Sequence, residues 1–338
     1  MSISKVTVVL GTMTFGVAGS WNGMVRITTH EGVVELLDVF KKHGHCEIDT
    51  ARMYGSGSTE EYLGAIGWQK RGLKLGTKHY PTKGKSMSFL YPKELSHSPA
   101  DLREGLNDSL AALKTDKFSI FYLHAPDRTV PFEDTLREIN KMYEEGIFER
   151  FGLSNFFAWE VAQVCEICKA HGWVMPTAYQ GVYNTLQRHV ETELISCLRF
   201  YGISFYVYNP LAGGFLTSRY TRGQTVFEDA QRFNPANMAG QMLKARLWND
   251  ANFTALEILR PALAPHGIPE SEAALRWLAH HSVLKKEFGD AVIVGAGSAH
   301  HLEDNLVALE KGPLPDDVVK ALDEGWGHTR ALPSMYSQ

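Results

Sequence analysis

Eight short apolar, β-branched runs recur along the chain, at 6–10, 46–49, 73–78, 118–123, 150–153, 177–180, 204–208 and 291–294. Nearly all are followed by a stretch of helical periodicity, at 31–43, 60–68, 100–113, 132–145, 159–171, 190–201, 271–280, 301–308 and 316–326. In the first of these Val33, Leu36, Leu37 and Phe40 share one face; in the third Leu102, Leu106, Leu110 and Leu113 do. A strand that returns in the same direction needs a crossover, so alternating βα units build a parallel sheet. Eight units predict an α/β chain closed into a single (β/α)8 TIM barrel over 1–338, and a chain of 338 residues fits that architecture without a second domain. An open doubly wound sheet is the rival. Its glycine-rich turn should follow the first strand, and Gly11-Thr12-Met13-Thr14-Phe15-Gly16 is not G-x-G-x-x-G.

The formal net charge is -4 and no long block of like charge occurs, which argues against nucleic acid or an anionic membrane as the main partner. The opening Met1-Ser2-Ile3-Ser4-Lys5-Val6 lacks the pattern of a secretory leader, and no stretch reaches the roughly 18 apolar residues of a membrane span. The expectation is a cytoplasmic protein with its 4 cysteines reduced. Cys165 and Cys168 with His171 imitate a metal-ligand spacing, but they lie on one helical segment without a second pair. His280-His281 and His300-His301 have no carboxylate at ligand spacing, so no metal is expected.

Polar residues gather where the strands stop, the end that carries chemistry in a barrel. The second strand ends at Asp49 with Tyr54 just beyond, the third at Lys78, and the fourth at His124. Carbonyl reduction needs hydride at carbon and a proton at oxygen. Tyr54 can give that proton if a neighbouring ammonium, Lys78, lowers its pKa, with Asp49 orienting Lys78 and His124 holding the substrate oxygen. The fifth, sixth and seventh strands end in Ser154-Asn155, Gln180 and Tyr208-Asn209. Two connections, 79–99 and 211–241, are too long to be simple turns and should shape a binding site. Phe15, Trp21, Tyr80, Phe89, Tyr91 and Phe233 are candidate pocket aromatics.

The stretch Ile48-Asp49-Thr50-Ala51-Arg52-Met53-Tyr54-Gly55 resembles the D-T-A-x-x-Y-G signature of the aldo-keto reductase superfamily. Gly76-Thr77-Lys78, Tyr122-Leu123-His124-Ala125-Pro126 and Gly152-Leu153-Ser154-Asn155-Phe156 resemble three further segments of it. Tyr179-Gln180-Gly181-Val182-Tyr183-Asn184 and Tyr208-Asn209-Pro210-Leu211-Ala212-Gly213-Gly214-Phe215 are similar to the aflatoxin aldehyde reductase branch. The resemblance runs from about Gly11 to Trp326.

The resemblance implies NADPH or NADP+ lying extended across the C-terminal face, with Tyr54 as proton donor and Asp49, Lys78 and His124 completing a tetrad. Gly11, Thr12, Met13 and Asp49 would line the cofactor. Ser154, Asn155 and Gln180 would hold the nicotinamide carboxamide, and Tyr208 would stack beneath the ring. Asn209, Pro210, Leu211, Gly213 and Arg219 would wrap the pyrophosphate, and Arg232 would contact phosphate or an acidic substrate. Gly297, Ser298, His301 and Asn305 would take the adenosine half, at a helix start suited to an anion. The segment 293–305 holds no Lys or Arg, unlike the 2'-phosphate site of many members. The chain ends Met335-Tyr336-Ser337-Gln338, without the arginine that follows a tyrosine in the related branch. The small-molecule substrate is therefore expected to be an aromatic or polyketide-derived carbonyl in place of a small acidic aldehyde. Related reductases also suggest a homodimer. Two alternatives stay open: a nucleotide-binding regulatory subunit with little turnover, and a barrel lyase using Lys78 as a Schiff-base nucleophile.

Overall fold

The computed structural model describes residues 5–84, 91–228, 231–333 and 336–337; Phe89, Met335, Gln338 and the first four residues lie outside them. Eight parallel strands close a barrel in sequence order. They are β1 (Thr7–Gly11), β2 (Glu47–Asp49), β3 (Lys74–His79), β4 (Phe118–Leu123), β5 (Phe148–Ser154), β6 (Pro176–Val182), β7 (Ser204–Tyr208) and β8 (Ala291–Val294). The helices are α1 (His30–Lys42), α2 (Ser58–Ile66), α3 (Pro99–Leu113), α4 (Phe132–Glu144), α5 (Ala158–His171) and α6 (Leu194–Tyr201), then α7 (Met238–Leu247), α8 (Asp250–Leu263), α9 (Glu270–His280), α10 (Ala299–Glu310) and α11 (Asp316–Thr329). The expected (β/α)8 barrel is the observed fold. Among the described residues no helix is long and apolar enough to cross a membrane, and no group of three or more His, Cys, Asp or Glu is placed to hold a metal ion.

Local chemistry sets the element ends. The Thr29 and Ser298 side chains accept from the Gly32 and His301 N–H groups and so cap α1 and α10, while α3 starts with Pro99 behind the Ser98 cap. α5 and α6 stop at Gly172 and Gly202, both left-handed.

The register places one parity of every strand inside the barrel. Gly11 pairs with Asp49 and Asp49 with Gly76; Lys78 pairs with Tyr122, Tyr122 with Gly152, and Ser154 with Gln180. Val9, Ile120, Tyr122, Ala178, Tyr206, Ala291 and Ile293 fill the middle of the interior. Two residues further along the strands the same parity turns polar, which brings Asp49, Lys78, Ser154 and Gln180 to the C-terminal mouth. Gly152 makes room for this packing: a Cβ there would lie 2.3 Å from the Tyr122 ring.

α7 and α8 were not expected from the sequence. In α8 the Asn249 side chain accepts from the Asn252 N–H, and Phe253, Leu256, Leu259 and Leu263 are buried. Pro261 interrupts the pattern, and it is tertiary packing against α11 that keeps the helix continuous past it. The long connection after β7 carries a small core of its own. Phe215 meets Phe253 at 5.1 Å between ring centroids and Tyr220 meets Phe233 at 4.8 Å, with Trp248 against both pairs. Aromatic pairs contribute about 0.5–1.5 kcal/mol each beyond area burial, enough to fix a segment without regular structure.

Candidate active site

Asp49 lies at the centre of the barrel mouth, buried at 5% exposure. Its Oδ2 accepts from Lys78 Nζ at 2.6 Å and its Oδ1 from Gln180 Nε2 at 2.8 Å, so one carboxylate ties β2 to β3 and β6. Lys78 is 1% exposed and also donates to the Thr50 carbonyl at 2.7 Å. The Asp49 carbonyl accepts twice from Thr12, from N–H at 3.0 Å and from Oγ1 at 2.9 Å, which joins the end of β1 to the site. Tyr54 follows in a tight turn in which Gly55, Ser56 and Gly57 all have positive φ. The turn is pinned by Ser58 Oγ donating to the Gly55 carbonyl and Thr59 Oγ1 to the Phe15 carbonyl, each at 2.6 Å. Lys78 Nζ lies 5.0 Å from the Tyr54 ring centroid, and the His124 ring meets Tyr54 edge-on at 5.7 Å. The structure thus brings all four tetrad candidates together.

Their protonation differs from the sequence expectation in one respect. Lys78 was expected to draw the Tyr54 phenol below its ordinary value near 10. Instead burial pushes it well above, with Asp49 and Tyr208 acting in the same direction. Burial also lowers Lys78, against the opposing pull of Asp49. His124 is held well below the usual histidine value by burial, with the Lys78 charge adding to the effect, and its buried Nδ1 has no hydrogen-bond partner. At neutral pH the pair facing the cleft is a protonated phenol and a neutral imidazole.

The second set is linked by its own hydrogen bonds. Asn155 and Asn209, each just past a strand end, both sit at φ 62, a left-handed conformation that asparagine tolerates better than most residues. Asn155 Nδ2 donates to the His124 carbonyl at 2.8 Å and to Ser154 Oγ at 3.0 Å; its Oδ1 accepts from the Tyr208 hydroxyl at 2.7 Å. Asn209 Oδ1 accepts from the Gly213 N–H and fixes the first turn of the 211–241 connection. Pro210 is buried and Leu211 half-buried, and both continue that turn.

Just past the C-terminal end of β8 Ser298 caps α10, with Asn305 buried inside that helix and Gly297 exposed before it. Arg219 Nη2 lies 3.2 Å from His301 Nε2. Arg232 is half-buried, with Nη2 3.2 Å from Met24 Sδ and Nε without a partner. The two arginines precede Tyr220 and Phe233, the edge-on pair of the loop core, which is how a segment without regular structure presents two charges at fixed points. A third arginine, Arg26, lies beside Gly297. The sequence reading missed it, because no motif marks it and only the fold brings it to α10.

The aldo/keto reductase family model matches residues 7–326. The chain belongs to the aldo/keto reductase family. It is 50% identical over 301 residues to an aldo-keto reductase of Pseudocercospora fijiensis, covering 89% of this chain and 99% of that one. It is 46% identical over 335 residues to aldo-keto reductase pigE of Monascus ruber, covering 98% and 97%. Aflatoxin B1 aldehyde reductase member 2 of Homo sapiens is 40% identical over 335 residues, covering 95% and 87%.

In this aldo/keto reductase the wall above Tyr54 is aromatic. Trp21 meets Tyr54 edge-on at 5.3 Å, and Tyr80 meets His124 edge-on at 5.4 Å. Met13, Met24, Val25 and Met53 belong to the same cluster. Tyr91 also does, with its hydroxyl donating to Asp108 at 3.1 Å. Phe15 and Phe233 are 0% exposed and belong to the two larger cores, so they are packing residues and not pocket walls. Tyr336 is anchored away from the tetrad, where its hydroxyl accepts from the Ala158 N–H and donates to Glu193.

Proposed function

We propose that this oxidoreductase reduces an aldehyde or ketone to an alcohol with NADPH, taking an aromatic or otherwise apolar carbonyl compound. The observation that carries the reading is the packing of Tyr54 edge-on against His124 at the barrel mouth, with the buried Lys78–Asp49 pair beside them. The substrate oxygen sits between Tyr54 and His124, where one phenol O–H and one imidazole N–H can both donate to it. Oxygen gains negative charge as hydride reaches carbon, and Tyr54 then transfers its proton. Lys78 stabilises the phenolate left behind, and Asp49 keeps Lys78 charged and in place.

The residues fit the cofactor by their unused valences. With Ser154 accepting from Asn155 and Gln180 donating to Asp49, the Ser154 hydroxyl proton and Gln180 Oε1 are left over. One donor and one acceptor complement a carboxamide. Asn155 plays a different part, holding the Tyr208 hydroxyl, and the Tyr208 ring would serve as a stacking partner for a nicotinamide. When bound, the dihydronicotinamide supplies the hydride. Arg26 and Arg219 near the start of α10, with Arg232 beside Met24, would supply counter-charge for the cofactor's phosphates.

A panel of carbonyl compounds assayed with NADPH and NADH side by side tests the reading. Oxidation of NADPH by an activated aromatic aldehyde is the expected result. NADPH binding without turnover on any of the panel would favour the regulatory alternative. A Schiff-base lyase is disfavoured by Lys78 itself, which is spent on Asp49 and the Thr50 carbonyl.

Two further results are expected. The kcat/KM for reduction should show no step near pH 6.5, the usual histidine value, because His124 is already neutral there. A pH profile measured between about 5.5 and 8.5 checks this, and an inflection removed by His124→Gln would sink it. Trp21→Ala should raise KM for aromatic aldehydes by about tenfold, while small aliphatic aldehydes change little, since a lost ring contact is felt only by a partner that fills it. Equal losses for both classes would show that Trp21 serves the fold and not the pocket.

A further inference from the structure

Most arginines of this protein are neutralised by carboxylates. Arg52 pairs with Glu61, Arg103 with Glu145, Arg188 with Asp323, Arg199 with Asp290, Arg222 with Glu257 and Arg260 with Glu270. Among the described residues Arg26, Arg150, Arg219, Arg232, Arg246 and Arg330 form no such ion pair, and of these Arg26, Arg219 and Arg232 concern the approach to α10. Among the described residues none of the three has a carboxylate partner; Arg26 lies beside Gly297, Arg219 beside His301 of α10, and Arg232 beside Met24, near enough to feel the Arg26 charge.

Arg26 is placed by the fold and not left to solvent. Its N–H donates to the Thr14 carbonyl at 2.7 Å, and Thr14 Oγ1 donates to the Ala296 carbonyl at 2.8 Å. The segment between β1 and α1 is thereby stitched to the residue before Gly297. The Arg26 stem runs along that glycine: a Cβ added at Gly297 would lie 3.7 Å from Arg26 Cγ and 3.8 Å from its Cβ. The Arg26 stem is therefore fixed beside the residue that precedes the Ser298 cap of α10, a helix start whose first N–H groups suit an anion. The Arg232 Nε is buried without a partner, and burial together with the Arg26 charge pushes Arg232 down to about 10. His301, beside Arg219, is lowered by burial and by that arginine. Like charges kept together at a partly buried place, with no internal counter-ion, are repulsive until an anion arrives.

We propose that Arg26 joins Arg219 and Arg232 in binding the phosphomonoester on the adenosine ribose, and that it sets the preference for the phosphorylated dinucleotide. The inference rests on the proposed NADPH-dependent reduction, in which 297–305 receive the adenosine half. A ribose phosphomonoester suits the site better than a pyrophosphate. It carries close to two charges near neutral pH and three acceptor oxygens, enough for three guanidiniums and a helix start. The charge missing from 293–305 is thus supplied from the β1–α1 segment and the 211–241 connection.

Arg26→Met tests this, because it keeps the apolar stem against Gly297 and removes only the charge. Dissociation constants would be measured by NADPH and NADH fluorescence, and by calorimetry with adenosine 2',5'-bisphosphate and with 5'-AMP. NADPH and the bisphosphate should weaken by about tenfold or more, while NADH and 5'-AMP stay within about twofold. Arg26→Lys should recover part of the loss, since a point charge replaces a fork. Equal weakening of both dinucleotides, or no weakening of either, would overturn the role given to Arg26 while leaving the cofactor reading intact. Failure of the unmutated protein to bind either dinucleotide would remove that reading and this proposal with it. An unchanged melting temperature of the free variant shows that a loss of binding is not a loss of fold.

Discussion

Tyr54→Phe is expected to lower kcat for carbonyl reduction by about a thousandfold or more, with the dissociation constant for NADPH unchanged within about twofold. Proton donation by a positioned side chain contributes about 10²–10⁴ in rate, and this substitution deletes the donor while leaving the ring. The ring is what packs, against Trp21 on one side and His124 on the other. The hydroxyl makes no hydrogen bond to any described residue, so its loss leaves no buried partner stranded and the melting temperature should hold. The contrast with Lys78→Met sharpens the test. That variant also removes catalysis, but it strands the buried Asp49 carboxylate and should lower stability as well. Single-turnover kinetics with an aromatic aldehyde, alongside NADPH titration, separates the effects. A Tyr54→Phe enzyme that turns over like its parent would end the claim that Tyr54 is the acid.

How the tetrad came to be legible in the sequence follows from barrel geometry. Each of Asp49, Lys78 and His124 lies at a strand end or within one residue of it, and strand ends meet at one mouth, so spacing alone predicts that they converge. Register then explains which side chains point inward, and inward parity is a property that alternation reveals. The protonation of Tyr54 was not legible, because it depends on how deeply the phenol is buried and on the nearness of Asp49 and Tyr208 in the folded chain. Nor was the division of labour among Ser154, Asn155 and Gln180, since it turns on which valences the neighbours consume. α8 was hidden by Pro261, and its burial against α11 outweighs the local penalty. Arg26 was hidden for the opposite reason. Its segment is irregular, and the contact with Gly297 is long-range in sequence, made through Thr14 and Ala296. Periodicity speaks for elements and motifs for strand ends; neither speaks for a side chain that a connection lays against a distant glycine.

The largest loss of stability is expected far from the tetrad, at Asp290→Ala. Asp290 is 0% exposed and stands directly before β8. Its carboxylate accepts from Arg199 Nη1 at 2.9 Å and Nη2 at 2.5 Å, from the Phe205 N–H at 2.8 Å and from the Lys285 N–H at 2.8 Å. It therefore ties α6 and β7 to the approach of β8. That is where the barrel is least secured by its own ladder, since β7 and β8 register only through Tyr206–Ala291 and Val207–Val292. Alanine would leave a largely buried guanidinium unpaired and two backbone donors unsatisfied, a loss on the order of 3–5 kcal/mol. Urea unfolding should show it as a lower midpoint with an unchanged slope. Asp290→Asn keeps acceptors for some of the donors and should fall between. Arg199→Ala combined with Asp290→Ala should cost less than the sum of the two, because each single change already breaks the same pair. Since Asp290 touches no residue of the tetrad, the folded fraction of the variant should keep the parent's kcat. A midpoint within about 1 kcal/mol of the parent would mean that barrel closure does not depend on this carboxylate.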